Sequence, residues 1–309
     1  MFIGVDIGGT KCAVVKGNPY SENKIVEKVK FPTGTVDETL ARIIEEVKKM
    51  MPCDAIGISC GGPLDEDRGI IMSPPNLPGW DNIHIVEMLI KRFGVPVYLL
   101  NDANACAVAE WKYGAGQGCT NMIFLTFGTG MGGGLILNGK LYSGSCGMAG
   151  EVGHIRLDKD GPSGYGKCGS FEGFCSGGGI AKAAKQIAIM RKGEGRVAFN
   201  AETDEDIAKL DARRIAELAR LGDADAVELF RDCGRRLGEG LAILVDILNP
   251  ERIVIGSIFQ RCEDLLIDGM METLKREALP QSLAACKIVP AMLGEEIGDV
   301  ASLAVADKN

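Results

Sequence analysis

The sequence predicts an α/β fold in which two similar halves, each with a mixed sheet, flank a central cleft. A short apolar run leads into a glycine-rich turn at residues 8–10, and the same arrangement recurs at residues 128–134. Each turn continues into another β-rich apolar stretch, and alternating helix and strand signals follow. Ligands of such folds bind at the carboxyl ends of strands, so the cleft is the expected site.

In the first half, the spacing of apolar residues distinguishes strands from helices. Apolar residues recur at helical spacing from Leu40 to Met51, whereas Ala55–Ser59 is a short continuous apolar run closed by glycines. The predicted elements are strands 2–6, 11–16 and 24–31, helix 36–51, strand 55–59, a loop with a short strand in 64–80, helix 83–93, strand 95–100 and helix 101–113.

The second half repeats the plan with a strand, a glycine turn and a strand over residues 122–137, and a small hairpin follows at 138–140. Residues 144–179 are rich in glycine and poorly periodic. The remaining predicted elements are helices at 180–192, 203–208, 211–220 and 223–248, strand 253–255, helix 261–276, strand 287–289 and helix 296–307.

The bulk composition describes an ordinary globular protein of 309 residues, of which 46% are hydrophobic and 25% charged. The net charge of -8 argues against a nucleic-acid surface. No apolar segment reaches the roughly 18 residues that span a bilayer, and the first predicted strand leaves no room for a signal peptide. Eleven cysteines are scattered singly, which is typical of reduced thiols and predicts a cytoplasmic protein.

The two glycine turns are candidate phosphate-binding loops. Glycines lack a Cβ atom and let backbone N–H groups approach an anion closely. Asp6-Ile7-Gly8-Gly9-Thr10 is consistent with a phosphate turn in which Asp6 holds a Mg²⁺-bound water, and also with a plain hairpin. The segment Gly128-Thr129-Gly130 is followed by three more glycines nearby, more than a hairpin needs, which favours a ligand loop.

Asn101 and Asp102 lie where an apolar strand ends and a helix begins. Both residue types are favoured helix N-caps, and capping alone would explain them. The alternative is that Asp102 is a general base, because a carboxylate at a strand end can accept a proton from a substrate hydroxyl. Asp102 could serve both roles only if its second oxygen faced the ligand.

Two carboxylates and a histidine, Glu151, His154 and Glu172, lie in the glycine-rich stretch and suit a polyhydroxylated ligand. A purely structural role for His154 is the alternative. The spacing of Cys168 and Cys175 is not that of a zinc knuckle. No G-x-x-x-x-G-K-[ST] motif occurs, and no G-x-G-x-x-G motif opens a helix after the first strand, which argues against a P-loop enzyme and a Rossmann oxidoreductase.

Together the motifs resemble those of the ROK family of bacterial sugar kinases (repressors, open reading frames, kinases), in the actin-like ATPase superfamily. The resemblance covers the whole chain in the expected order. It implies two actin-like (RNase H-like) domains, residues 1–115 with about 295–309 and residues 116–294. The matching segments are Asp6–Lys11, Pro75–Trp80, Asn101–Asn104, Gly128–Gly134, Gly150–His154, Glu172 and Ser176–Gly177.

The resemblance implies ATP-dependent phosphorylation of a hexose hydroxyl, the one on C6, with Mg²⁺ and with Asp102 as the catalytic base. It implies a sugar site made of Gly61, Gly62, Asn76, Asn101, Asp102, Glu151, His154 and Glu172. It implies an ATP site made of Asp6, Gly8, Gly9, Thr10, Lys11, Gly128, Thr129, Gly130 and Gly256. Family members are often dimers, so a homodimer is expected, without nucleic-acid or membrane partners.

The chain departs from the family pattern in three ways. Many members bind zinc through the histidine equivalent to His154 and three cysteines, whose positions here hold Ser163, Tyr165 and Ser170, so no zinc site is predicted. The usual glycine run after the strand at 253–255 is Gly256-Ser257-Ile258. No helix-turn-helix precedes the first strand, which disfavours the repressor branch.

Several functions remain open within this resemblance. The expected substrate is glucose or a related sugar such as an N-acetylhexosamine. The alternatives are a fructokinase, a β-glucoside kinase or a non-catalytic sugar-sensing regulator. An actin-like ATPase that acts on a protein fits less well, because Glu151, His154 and Glu172 suit a small polyol.

Overall fold

The computed structural model describes residues 1–308, and in these residues it contains fourteen strands and eleven α-helices. The elements up to residue 125 are β1 (Phe2–Ile7), β2 (Lys11–Gly17), β3 (Ile25–Pro32), α1 (Val36–Met50), β4 (Ala55–Cys60), β5 (Leu64–Asp65), β6 (Ile70–Ile71), α2 (Ile85–Phe93), β7 (Val97–Asn101), α3 (Asp102–Tyr113) and β8 (Met122–Leu125).

The elements after residue 125 include a 3₁₀ helix at Val152–His154 and another at Gly294–Glu296. The strands and α-helices are β9 (Gly133–Leu137), β10 (Lys140–Leu141), β11 (Ser163–Gly164), β12 (Lys167–Cys168), α4 (Phe171–Phe174), α5 (Gly177–Gly193), α6 (Asp204–Ala208), α7 (Ala212–Arg220), α8 (Ala224–Leu248), β13 (Arg252–Ile255), α9 (Ile258–Glu277), α10 (Pro280–Ala285), β14 (Lys287–Pro290) and α11 (Ile297–Ala306).

The described chain divides into two compact units. The first comprises residues 1–124, 134–149 and those from 292 onward, and the second comprises residues 125–133 and 150–291. Units defined by packing need not coincide with functional domains. The predicted division into two domains therefore stays a prediction. Its domains are residues 1–115 with about 295–309, and residues 116–294.

The first sheet has the strand order β3–β2–β1–β4–β7. Strands β1, β2 and β3 are antiparallel to one another, whereas β4 and β7 run parallel to β1. In this register Ile7 pairs with Cys60, and Cys60 pairs with Asn101. The three parallel strands thus end side by side, which brings the residues that follow them to one edge of the sheet.

Helix α11 packs directly on β1 and β4, and two glycines make this close approach possible. A Cβ atom on Gly4 would lie 2.1 Å from Ser302 Oγ, and one on Gly57 would lie 2.1 Å from the Ser302 carbonyl oxygen. The strands themselves supply a core of buried aliphatic side chains, including Val5 and Ile58. Larger residues at the two glycine positions would push the helix off the sheet.

The second sheet has the order β10–β9–β8–β13–β14, with β9 and β10 antiparallel and β13 and β14 parallel. When the strands of each sheet are numbered by their order along the chain, both sheets have the same spatial order: third, second, first, fourth, fifth. The predicted α/β class with mixed sheets is confirmed, and the repeated plan of the two halves extends to strand order.

The structure differs from the predicted elements at a few positions. Helix α9 begins at Ile258, three residues earlier than expected, and has a non-helical backbone at Cys262. Helix α10 was not predicted, although Pro280 at its first turn is a recognised start signal. Within residues 1–308, no helix combines the length and apolar character needed to cross a membrane.

Candidate active site

The first unit brings together the predicted base and several predicted sugar-binding residues. Asp102 follows β7, and Gly61 follows the neighbouring strand β4 in the same register. A Cβ atom on Gly61 would lie 3.9 Å from Asp102 Oδ2 and 3.7 Å from Asn76 Nδ2. A Cβ on Gly62 would lie 3.4 Å from Asn101 Nδ2. The absence of side chains at 61 and 62 therefore keeps a space open beside the Asp102 carboxyl group.

Asn101, and not Asp102, caps helix α3. The Asn101 side-chain oxygen accepts the backbone N–H groups of Ala103 and Asn104, at 3.0 and 3.4 Å. Asp102 Oδ1 accepts the Ala103 N–H at 2.8 Å, and Oδ2 is the oxygen that lies near Gly61. The capping and base hypotheses are thus compatible, because adjacent residues divide the two roles.

Asp102 is an exposed residue, but its carboxyl group itself lies among protein atoms. This partial burial raises the pKa of Asp102 above its usual value, while hydrogen bonds from the Ala103 and Asp102 backbone N–H groups oppose the shift. A raised pKa makes a carboxylate a better proton acceptor, which suits a general base.

Glu66 is a residue that sequence reasoning missed. Its Oε1 accepts the backbone N–H of Asn101 at 2.9 Å and the side-chain amide of Asn104 at 3.3 Å, while its Oε2 accepts from Ser143 Oγ at 3.3 Å. It therefore fixes the junction of β7 and α3 on which Asp102 lies. No local sequence signal marks it, because Glu66 and Asn101 are distant in the chain.

The first glycine turn closes on itself through the Gly8 N–H, which donates to the Lys11 carbonyl oxygen at 3.2 Å. Gly9 closely contacts the predicted sugar-binding residue Asn76, since a Cβ there would lie 2.5 Å from the Asn76 carbonyl oxygen. Thr10 and Lys11 are exposed to solvent. The turn thus lies directly against Asn76 and presents its polar residues outward.

Asp6 lies in β1, just before this turn, and has acidic groups among its neighbours. Burial first, and then repulsion from Asp102 and Asp299, raises the pKa of Asp6 to about 6, although Lys30 and Lys11 oppose the shift. A cavity of about 130 Å³ adjoins it and is also lined by Lys11, Lys30 and Asp299. Carboxylate oxygens are the ligands Mg²⁺ prefers, and a cation would relieve this repulsion. Residues 1–308 hold no group of three or more acidic, histidine or cysteine side chains placed to bind a metal ion, so a role for Asp6 in holding Mg²⁺ stays a prediction.

In the second unit, the other glycine turn is braced by hydrogen bonds to its backbone. The Gly128 N–H donates to the Gly130 carbonyl oxygen at 3.1 Å, and the Gly132 N–H donates to Thr126 Oγ1 at 2.8 Å. The start of helix α5 is attached to the same turn, because the Gly177 and Gly178 N–H groups donate to the carbonyl oxygens of Gly128 and Thr129. Several backbone N–H and carbonyl groups of the second glycine turn are thus already hydrogen-bonded within the protein.

Glu172 contacts this turn directly. Its Oε2 accepts the Met131 N–H at 3.0 Å, and a Cβ on Gly130 would lie 2.7 Å from the same oxygen. The 3₁₀ helix that carries His154 packs beside it, since a Cβ on Gly153 would lie 2.3 Å from the Met131 carbonyl oxygen. Glu172 and His154 are therefore brought to the second turn, and Glu151 is exposed at the start of the 3₁₀ helix.

A cavity of about 810 Å³ opens beside the second turn. Ser257 lines it, whereas Gly256 is buried and donates its N–H to the Leu125 carbonyl oxygen at 3.0 Å. Ser257 has φ 55° and ψ −108°, a conformation that L residues rarely adopt and that is typical of functional sites. The lining comprises Gly128, Thr129, Gly177, Gly178, Asp211, Ala212, Arg213, Ala216, Glu217, Arg220, Ser257, Ile258, Arg261 and Cys262.

Three arginines of this cavity were not predicted from the sequence. Arg220 forms a two-point ion pair with Asp264, at 2.8 and 2.9 Å, and this pairing raises the pKa of Arg220 and lowers that of Asp264. Arg261 donates to Ser257 Oγ at 3.0 Å. Arg213 is the third. They lie on two amphipathic helices whose charged residues look like ordinary solvent-facing positions, so no sequence signal marks them.

The positions that hold zinc-binding cysteines in many ROK proteins do not form a zinc donor set here. Ser163 and Tyr165 belong to the β11–β12 hairpin, and Ser170 caps helix α4 through its hydroxyl. Cys168 is exposed and donates to the Gly161 carbonyl oxygen at 2.9 Å, whereas Cys175 is buried. Zinc prefers thiolate and imidazole ligands, so these hydroxyl residues do not fit it.

The model of the ROK family matches residues 2–308. A glucokinase of Streptomyces coelicolor is 34% identical over 312 residues, covering 98% of this chain and 96% of that protein.

Two solved structures resemble the chain over almost its whole length. The ROK hexokinase from Thermus thermophilus is 30% identical with a TM-score of 0.82, covering 99% of this chain and 97% of that one. A ROK family glucokinase from Streptomyces griseus, in complex with glucose and AMPPNP, is 32% identical with a TM-score of 0.78, covering 100% of this chain and 99% of that one.

Proposed function

The chain belongs to the ROK family, and from this premise we propose that it transfers the γ-phosphoryl group of ATP to the C6 hydroxyl of a hexose. The proposed substrate is glucose or a related sugar such as an N-acetylhexosamine. The observation that supports this most strongly is the Asp102 carboxyl group. It has one oxygen hydrogen-bonded to the helix start and the other beside the open space at Gly61. Relatives of similar length and sequence are a glucokinase and a hexokinase.

Asp102 would accept the hydroxyl proton of the sugar. As that proton leaves, the hydroxyl oxygen forms a bond to the γ-phosphorus, and the bond from this phosphorus to the oxygen bridging the β- and γ-phosphates breaks. The products are the sugar phosphate and ADP, and the proton remains on Asp102 until it passes to solvent. The raised pKa of Asp102 favours this acceptance.

The other residues would orient the two substrates. We propose that Asn76, Asn101, Glu151, His154 and Glu172 bind the remaining sugar hydroxyls, with Gly61 and Gly62 leaving room for the ring. The ATP phosphates would contact the turns at Gly8–Lys11 and Gly128–Gly130, and the adenosine would occupy the cavity lined by Ser257 and Arg220. Mg²⁺, held near Asp6, would neutralise charge on the phosphoryl oxygens.

The decisive experiment is the substitution Asp102→Asn, which keeps the size of the side chain but removes the base. We expect sugar-dependent ADP release to fall by at least about 100-fold, while sugar binding measured by calorimetry changes little. Asp37→Asn, an exposed acid on α1, is the matched control and should retain full activity. Retained turnover in Asp102→Asn would remove the base assignment.

The identity of the sugar requires a substrate panel. ADP release should be measured with glucose, N-acetylglucosamine, N-acetylmannosamine, fructose and β-glucosides, and phosphorylation at C6 should be verified by NMR of the product. A fructokinase or β-glucoside kinase would show its preference directly. Sugar binding without ADP release for any sugar would instead favour a non-catalytic sugar-sensing regulator.

The remaining proposals concern the state of the protein in the cell. We propose a homodimer located in the cytoplasm, without nucleic-acid partners, in keeping with the net charge of -8. Light scattering of the purified protein measures the oligomeric state directly, and a monomer at assay concentration would contradict the dimer.

A further inference from the structure

The segment between His154 and Glu172 has little regular structure of its own. It contains the two-residue strands β11 and β12 and a single β-bridge between Arg156 and Ser170, and Lys159, Asp160 and Tyr165 are exposed. Short isolated hairpins are marginally stable in water. Contacts with other parts of the chain therefore contribute to the fixed position of the two proposed sugar-binding residues at its ends.

One such contact is made by Arg236, which lies on the 25-residue helix α8. Its Nη2 donates to Asp158 Oδ2 at 2.9 Å, and its Nη1 donates to Glu239 Oε2 at 3.1 Å. Its guanidinium carbon lies 4.5 Å from the centre of the Phe174 ring. One side chain thus contacts the loop, the short helix α4 and its own helix at once.

The contacts of Arg236 with Asp158 and with Phe174 both connect it to the segment that carries the proposed sugar-binding residues. Asp158 and Leu157 donate their N–H groups to the Gly169 carbonyl oxygen at 3.1 and 2.9 Å. The ion pair that fixes Asp158 therefore also fixes Gly169 on the opposite side of the loop. Phe174 lies on the same short helix as Glu172, whose carboxylate accepts the Met131 N–H. A shift of Phe174 would therefore move Glu172.

The planar guanidinium suits this task better than an ammonium group would. It bonds two carboxylates at fixed angles and stacks on an aromatic face at the same time. Arg236 also lowers the pKa of Asp158, which keeps the loop carboxylate charged. Ser163, Tyr165 and Ser170 do not form a zinc donor set, so the contacts of Arg236 are made without one.

We infer that Arg236 is a positioning residue that orders the segment 155–174 without a metal ion and thereby sets sugar affinity. The inference about affinity rests on the proposed function. The ordering of the segment can be tested separately, because it does not depend on catalysis.

The first test compares Arg236→Met and Arg236→Lys with the matched control Arg235→Met. Arg235 lies on the same helix and pairs only at the surface with Glu228, at 3.0 Å. We expect Arg236→Met to raise the KM for sugar by about tenfold, with the KM for ATP changed less than about twofold. Arg236→Lys should restore little, and the control should match the wild type.

The second test measures order in the segment itself by limited trypsin digestion at Lys159, followed by mass spectrometry. Arg236→Met should be cleaved there several times faster than the wild type and the control, whether or not any sugar is phosphorylated. Treatment of the wild type with a zinc chelator, followed by return of Mg²⁺, should change neither the cleavage rate nor the KM for sugar. Faster cleavage after chelation would overturn the inference.

The outcomes separate the two proposals. Unchanged cleavage and an unchanged KM for sugar in a folded Arg236→Met protein would overturn the positioning role. Faster cleavage in a protein whose wild type phosphorylates no sugar would contradict the proposed function alone. If Arg236→Met does not fold, Asp158→Asn serves instead. It must then raise both the cleavage rate and the KM for sugar, and an unchanged value of either would count against the inference.

Discussion

The two glycine-rich turns differ in the surroundings of the carboxylate beside each. Burial raises the pKa of Asp6, beside the first turn, to about 6, and repulsion from Asp102 and Asp299 adds to this shift while Lys30 and Lys11 oppose it. Glu172, at the second turn, accepts the Met131 N–H at 3.0 Å. The first carboxylate is in an environment that favours a cation, whereas the second is used to hold the backbone of its turn. Turns that look alike in sequence therefore have different physical roles.

The strongest test of this contrast is Asp6→Asn, which removes the charge and keeps the shape. We expect activity to fall by about 100-fold or more, because the proposed Mg²⁺ ligand is lost. The same change should raise the unfolding free energy by about 1–3 kcal/mol, since the folded state disfavours the ionised carboxyl group. Enzyme assays and chemical denaturation at pH 7 measure the two effects.

The sign of the stability effect depends on pH. The pKa of Asp6 is raised from 3.8 to about 6 on folding, so the folded state holds the proton more tightly between these values. Wild-type stability is therefore lost as the pH rises from about 4 to about 6. The gain in Asp6→Asn should be complete above pH 6 and absent below about pH 4. An equal gain at both pH values would contradict the assigned cause.

At the second turn, Glu172→Ala should have a smaller effect, on the order of tenfold, expressed in the KM values of sugar and ATP. The loss leaves the Met131 N–H without its partner and loosens the turn. Glu172→Gln is the informative control, because its amide oxygen can still accept that N–H. Recovery of the KM for ATP by Gln, but not of the KM for sugar, would separate the bracing role from sugar contact.

A smaller effect is expected from pH, because a proton and Mg²⁺ compete for the Asp6 carboxylate. As the pH falls below about 6, protonation of Asp6 should weaken Mg²⁺ binding, by about tenfold per pH unit well below the pKa. Titration of activity with Mg²⁺ at pH 5, 6 and 7 gives the apparent constants. A constant Mg²⁺ requirement over this range would show that Asp6 does not hold the ion.

The smallest expected effect concerns Glu66, which braces a backbone N–H as Glu172 does. Glu66→Ala should lower kcat by about threefold to tenfold, because Asn101 loses its anchor and Asp102 becomes less well placed. Glu66→Gln should recover most of this loss, and Asp67→Ala, at an exposed neighbour, should have no effect. Failure of Gln to recover kcat would point to a role for the charge itself.

Much of the fold could be predicted because the local signals were strong. The helix over 36–51 and the strand over 55–59 were confirmed to within one residue at either end, since apolar periodicity and flanking breakers both marked them. Residues 144–179 gave little local signal. Their short elements are stabilised by distant partners such as Arg236, which lies 78 positions from Asp158.

Local sequence signals were also insufficient to predict every feature of the proposed site. Asp102 and the glycine turns could be selected from motifs, but the division of labour between Asn101 and Asp102 could not. It depends on which oxygen accepts which N–H, and therefore on backbone angles that the residue types alone leave open. Glu66 and the cavity arginines were missed because their partners are far away in sequence.

The amino-acid sequence by itself determined the α/β class, the repeated strand plan and the membership of the ROK family. These properties depend on patterns repeated over many residues, and such patterns survive without knowledge of distant contacts. Only the tertiary structure decided that Asp6 is partly buried near Asp102 and Asp299, that Glu172 braces a turn and that Arg236 supports the loop. Each of these depends on distances between residues far apart in the chain, because electrostatic repulsion, hydrogen bonding and stacking act over a few ångströms in space.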